Sequence, residues 1–186
     1  MNRPSRLLAA LALVAFAVLS VTIPTPARAE SAASLEADAA AALQALYSNT
    51  PAAKALGAQA KAVVVFPTIV KAGFLVAGAY GEGVKYRDGK VVGFYNSVAG
   101  SYGLQAGAQA FGYAIFLMTD SAVRYLDRSD GFELGVGPSF VLVDEGFAKN
   151  LSTTTLKKDV YGFIFDQKGL MAGIGIQGTK ISRIRK

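Results

Sequence analysis

The sequence predicts an α+β fold: a curved antiparallel β-sheet, barrel- or sandwich-like, with N-terminal helices and one or two inserted short helices. Three observations predict it. Thirteen of the 32 residues at positions 30–61 are Ala, the best helix former, whereas nineteen of the twenty Gly lie beyond position 61. From Ala62 onward, β-branched and aromatic runs replace the helical pattern. Asp88-Gly89 sits between alternating segments, the strongest local hairpin signal in the chain.

The elements are justified in chain order. Arg3 and Arg6 precede an apolar run over residues 7–19, followed by Pro24, Pro26 and the small-residue exit Ala27-Arg28-Ala29. The run falls short of the roughly 20 apolar residues a spanning helix needs, so residues 1–29 read as a secretory signal peptide cut between Ala29 and Glu30. Residues 30–186 then form a single domain, helical over 30–61 and β-rich over 62–186. Ser31 or Ser34 caps a first helix with Leu35, Ala39, Leu43, Leu46 and Tyr47 on one stripe. Thr50 and Pro51 are the N-cap and first residue of a second helix ending near Ala60.

Val63-Val64-Val65-Phe66 reads as a strand buried on both faces and stopped by Pro67. Residues 71–83 are Gly-rich and extended. Further strands are expected at 91–98, 101–105, 111–118, 132–143, 160–165 and 170–176. A type I turn is expected at Asp166-Gln167-Lys168-Gly169. Thr119 or Asp120 caps a short helix with Ala122, Val123 and Leu126 inward, and residues 150–158 read as another helical turn. Gly at 78, 81, 83, 100, 103, 135 and 137 favours strong curvature or close backbone approach over flat sheet.

Composition excludes most enzyme chemistry. The chain has no His and no Cys, hence no imidazole acid or base, no thiolate nucleophile and no soft metal ligand. The adjacent acids Asp144-Glu145 read as a solvated turn. Gly173-Ile-Gly-Ile-Gln-Gly178 matches a dinucleotide fingerprint in letters, but no helix-forming sequence follows it, so it reads as a strand. No enzymatic activity and no cofactor are expected. Losing the leader removes three of 19 basic residues and none of 13 acidic ones, a net charge of +3. That excess suits an anionic surface and is too small for non-specific nucleic-acid binding. A small outer-membrane barrel fits poorly with the Ala-rich front and the basic C-terminus.

Five segments carry a family resemblance: Lys61-Ala-Val-Val-Val-Phe-Pro-Thr-Ile-Val-Lys-Ala-Gly-Phe74, Tyr80-Gly-Glu-Gly-Val84, Gly103-Leu-Gln-Ala-Gly-Ala-Gln109, Phe132-Glu-Leu-Gly135 and Lys168-Gly-Leu-Met-Ala-Gly173. The chain resembles the SYLF domain family over nearly all of residues 30–186. The resemblance implies a lipid-binding module without enzymatic activity. Eukaryotic members bind phosphoinositides and some bind actin, while bacterial members are exported. For an exported chain only contact with anionic lipid or a membrane surface carries over. Many bacterial relatives look like lipoproteins; this chain has no Cys to acylate.

The sequence therefore points to a non-enzymatic, exported cell-envelope protein, periplasmic or secreted, that binds anionic lipid or a membrane surface. The alternative is a structural or partner-binding envelope module without direct lipid contact. Three groups of cations are candidate headgroup ligands. A two-residue turn at Asp88-Gly89 places Lys85, Arg87 and Lys90 on one face near the hairpin tip, with Val84, Tyr86 and Val91 on the other. Lys61 and Lys71 bracket the Phe-Pro segment. Arg183 and Arg185 belong to the basic C-terminus.

Overall fold

The computed structural model describes residues 31–128, 132–133, 139–143 and 158–186. The expected leader at 1–29, the Asp144-Glu145 turn and nearly all of the expected helical turn at 150–158 lie outside the described residues. Helix α1 spans Ala32–Asn49, with Ser31 as N-cap accepting from the Ser34 N–H at 3.1 Å. Its stripe buries Leu35, Ala39 and Leu46, with Leu43 and Tyr47 half-buried beside them. Thr50 and Pro51 open helix α2 (Pro51–Gly57), three residues shorter than the Ala-rich composition suggests. Helix α3 (Asp120–Leu126) starts at Thr119, whose hydroxyl accepts from the Ala122 N–H at 3.2 Å.

Five strands form one sheet among the described residues: β1 (Ala62–Arg87), β2 (Lys90–Leu117), β3 (Phe132–Glu133), β4 (Phe140–Val143) and β5 (Val160–Ile184). The order is β1-β2-β5-β3, with β4 also pairing β5. The sheet is antiparallel except for β4, which runs parallel to β5 from Phe140↔Val160 to Val143↔Phe163. The fold class is thus α+β as expected, with one parallel pair in an otherwise antiparallel sheet.

Three of these strands are much longer than the sequence suggests, at 26, 28 and 25 residues for β1, β2 and β5. Local breakers become bulges instead of ends. Pro67 does not stop β1; the register shifts between Phe66 and Ile69, which takes the proline out of the ladder. Asp166-Gln167-Lys168-Gly169 does not reverse the chain. Phe165 pairs Gly112 and Lys168 pairs Ala110, so both sides stay on β2 and one extra residue bulges out. Asp88 and Gly89, with φ of 52° and 72°, form the expected hairpin turn and pair Arg87 with Lys90.

The long sheet is folded over on itself. β1 bends at residues 73–77, where Leu75 has φ 59° and a Cβ on Gly73 would lie 2.2 Å from the Val76 carbonyl oxygen. Beyond the bend its second half returns across its first. A Cβ on Gly83 would lie 2.6 Å from the Val65 carbonyl oxygen and equally close to the Phe66 ring, so only glycine admits this approach. β2 bends at the matching rows, with Gly103 and Gly107 at positive φ and Gly73 paired with Gly107. Two leaves result, one built from residues 62–73, 107–117 and 160–169, the other from 77–87, 90–102 and 176–184.

Two cores follow from the fold-over. Between the leaves, Val64, Phe66, Ile69, Ala79, Tyr95, Tyr113, Ile115 and Ile181 pack with Ala122, Val123 and Leu126 of α3. On the outer face, Val63, Val65, Phe116, Tyr161 and Phe163 pack against Leu35, Leu46, Ala53 and Leu56 of α1 and α2. The run 63–66 is therefore buried on both faces. Asp159 ties the start of β5 to its surroundings, accepting from the Ser139 hydroxyl at 2.9 Å, the Ser139 N–H at 3.1 Å and the Thr119 hydroxyl at 3.1 Å. These bonds hold its carboxyl below the usual range.

Candidate functional site

The structure does not bring the candidate cations together. Lys85 is withdrawn from the hairpin face altogether. It is 4% exposed, and its ammonium donates to both Asp127 carboxylate oxygens, at 2.6 and 2.7 Å, while lying 5.9 Å from the Tyr95 ring centroid. The expected alternation is correct, with Val84 and Tyr86 on the helix side, but α3 covers the opposite face at this point. A bulge between Lys85 and Tyr86 also pairs Lys85 with Gly93, one residue beyond the Val92 that a regular hairpin would give. Arg87 and Lys90 stay exposed and face each other across the turn.

Arg183 and Arg185 are exposed near the end of β5, beside Val91–Phe94 of β2, and the Arg183 guanidinium donates to the Val92 carbonyl at 3.4 Å. Lys186 pairs with Glu82. Burial pushes the Glu82 carboxyl up, but its bonds from Lys186 and Tyr80 outweigh that and hold it below its usual value. Lys61 is exposed just before β1, with its N–H bonded to the Leu117 carbonyl at 2.8 Å. Lys71 stands apart from all of these. It lies on the first leaf two residues before the bend, in register with Gln109, and is half-buried.

What surrounds the bend is apolar and open to solvent. Phe74 is 73% exposed, Leu104 80% and Leu170 88%, and Val70, Leu75, Val76 and Tyr102 are also exposed. The strand pairing gathers them, since Phe74 pairs Ala106, Val76 pairs Tyr102, and Ala108 pairs Leu170. No charged residue occurs at 72–81, 91–119 or 169–179, the three segments that build this corner. Lys71 and the exposed Lys168 flank it on adjacent rows, in register with Gln109 and Ala110. Among the described residues no helix is long and apolar enough to cross a membrane.

The corner was not among the expected binding residues. One signal could have found it: three long uncharged stretches, each rich in Gly and small residues, recur at matching places in the three long strands. Their apolar side chains cannot all be core if the strands bend together, because the outside of a bend has nothing to pack on. Large exposed apolar patches on otherwise well-packed proteins mark contact sites.

Beside the corner a cleft of about 270 Å³ opens between the leaves. One wall carries Ile69, Phe111, Tyr113 and Ile164, the other Ala79, Ser97 and Ala99. Lys71, Gln109 and Thr179 contribute the remaining polar groups, and among the described residues no acid lines it. Burial pushes the Tyr113 phenol far above its ordinary pKa, so it is neutral throughout the physiological range. Cleft and corner share Lys71 and form one continuous region of the fold. The described lining offers apolar contact, hydrogen bonding and a positive charge.

Residues 98–186 match the family model of Ysc84, described as Las17-binding protein actin regulator. The matched segment runs from the second leaf of β2 through the bend to the end of β5, and it contains three of the five segments that carry the SYLF resemblance. No curated protein matches the chain.

Proposed function

With residues 98–186 recognised as a Ysc84 (SYLF) region, we propose that this protein is a non-enzymatic, exported envelope protein that attaches peripherally to anionic membrane surfaces through the corner of its folded sheet. The observation that carries this reading is the exposed, charge-free apolar corner around Phe74 and Leu104, flanked by Lys71 and Lys168. Phe74 follows Lys71 by three residues, a span of at most about 10 Å at about 3.3 Å per residue. That reach matches the 5–10 Å by which interfacial elements bury apolar groups while their cations stay at headgroup level. The reading of export rests on the sequence pattern of residues 1–29, with Arg3 and Arg6 ahead of an apolar run and Ala27-Arg28-Ala29 at its exit.

Both forces contribute, so the expected salt response is partial. Protein purified from the periplasm, with a mass beginning at Glu30, should float with phosphatidylglycerol vesicles. Raising salt past physiological strength, where the screening length is about 8 Å, should weaken retention without abolishing it. Pure phosphatidylcholine vesicles should retain less. No retention on either vesicle would overturn the reading. It would favour a partner-binding role without lipid contact, which the family description, naming a protein ligand, supports independently.

A further inference from the structure

We propose that the cleft between the two leaves holds the acyl chain of a single-chain anionic amphiphile, a lysophospholipid, with its charged head at Lys71. The proposal rests on the membrane-surface reading and goes beyond it. The corner would make contact with a bilayer; the cleft would take one lipid out of it.

Three features argue for this occupant. The space exists because the walls are unequal. Ile69–Phe111 and Tyr113–Ile164 are cross-strand pairs of large side chains on one leaf, and they face Ala79, Ala99 and Thr179, consecutive partners across one row of the other. Larger residues in that row would close the gap. At about 270 Å³ it falls near the lower end of small-ligand sites, which run from about 300 Å³. That suits one chain and not the two of a diacyl lipid. Second, the polar groups are placed at one end. Lys71 and Gln109 pair two rows closer to the bend than Ile69 and Phe111, so a cation lies between the apolar cleft and the membrane-facing corner. Among the described residues no carboxylate lines the cleft to oppose an anionic head. Third, cleft and corner are continuous through Lys71, so a chain need not cross bulk water to enter.

The test uses intact mature protein and lauroyl lysophosphatidylglycerol below its micelle concentration, followed by isothermal titration calorimetry. Saturable uptake near one equivalent is expected, with weaker uptake of lauroyl lysophosphatidylcholine. Across a series of chain lengths, affinity should rise and then level off once the cleft is full. Affinity that rises without limit is surface adsorption and would overturn the proposal, as would no uptake at all. Ala99→Leu, which fills the cleft, should weaken uptake by about tenfold or more while vesicle flotation is kept. Unchanged uptake by a folded Ala99→Leu protein would also overturn it. If that variant does not fold, the chain-length series on the natural sequence still decides. Failure of the membrane reading would show separately, as lost flotation with lysolipid uptake intact.

Discussion

Replacing Phe74 and Leu104 together by Ser is expected to weaken binding to phosphatidylglycerol vesicles by about 100-fold. Fully burying one such side chain in an apolar medium is worth about 1.5–3 kcal/mol. Two at the low end give roughly 3 kcal/mol, or about two factors of ten. Both side chains are largely exposed, at 73% and 80%, so the folded protein loses little packing. Its stability should change by no more than the ordinary ~0.5 kcal/mol of a surface substitution. In contrast, Arg183→Gln with Arg185→Gln, at the strand ends away from the bend, should remove only a salt-sensitive fraction of binding. Flotation measured over a range of lipid concentrations separates these outcomes. Unchanged binding by the Phe74/Leu104 variant would sink the corner as the contact surface and return attention to the strand-end cations.

The second large effect concerns stability. Asp127→Asn should destabilise the fold by about 2–4 kcal/mol, because it leaves the Lys85 ammonium buried without its counter-charge. The figure lies below the usual 3–5 kcal/mol for a fully buried pair because the Asp127 side chain is 35% exposed. For a domain of this length it corresponds to a midpoint roughly 5–15 °C lower. Adding Lys85→Met should restore much of the loss, since the charge that lacked a partner is then gone. A midpoint within a degree or two of the natural protein for Asp127→Asn alone would show the pair to be unimportant.

The same pair sets an acid limit. Burial pushes the Asp127 carboxyl up, yet the bonds from Lys85 and Tyr95 and the charge of Lys85 outweigh it, so the folded pKa lies below the unfolded value of about 3.9. A depressed folded pKa contributes stability that is fully present above the unfolded value and is lost as pH falls through the folded one. Thermal midpoints should therefore hold above about pH 5 and decline below pH 4, with Asp159 contributing to the same limb. The decline should be shallower in the Asp127→Asn, Lys85→Met double variant.

Local signals were legible where a few neighbouring residues decide the conformation. Ser31, Thr119 and the Thr50-Pro51 pair mark helix starts because the groups they satisfy or replace lie within three residues. Asp88-Gly89 marks a hairpin because both residues accept positive φ. The same reasoning failed at Pro67 and at Asp166–Gly169, where a breaker was read as an end. Pairing to a continuous neighbour strand outweighs one missing ladder bond, so the chain bulges and continues. Lys85 shows the limit most sharply. Alternation placed it correctly on the face opposite Val84 and Tyr86, but whether that face meets water depends on Asp127, 42 residues away.

The amino-acid sequence alone determined the α+β class, the helical front, the hairpin, the absence of His and Cys side chains and the resemblance to the SYLF family, because these follow from composition, local propensity and short motifs. It also contained the three uncharged stretches that become the corner. Only the tertiary structure decided that these stretches bend at matching rows, that the sheet folds over to leave a cleft, and that Lys85 is buried while Lys71 stands beside exposed apolar side chains. Those are outcomes of long-range strand pairing. An apolar residue in a strand reads the same along the chain whether it lies inside a bend, where another leaf covers it, or outside, where only a partner can.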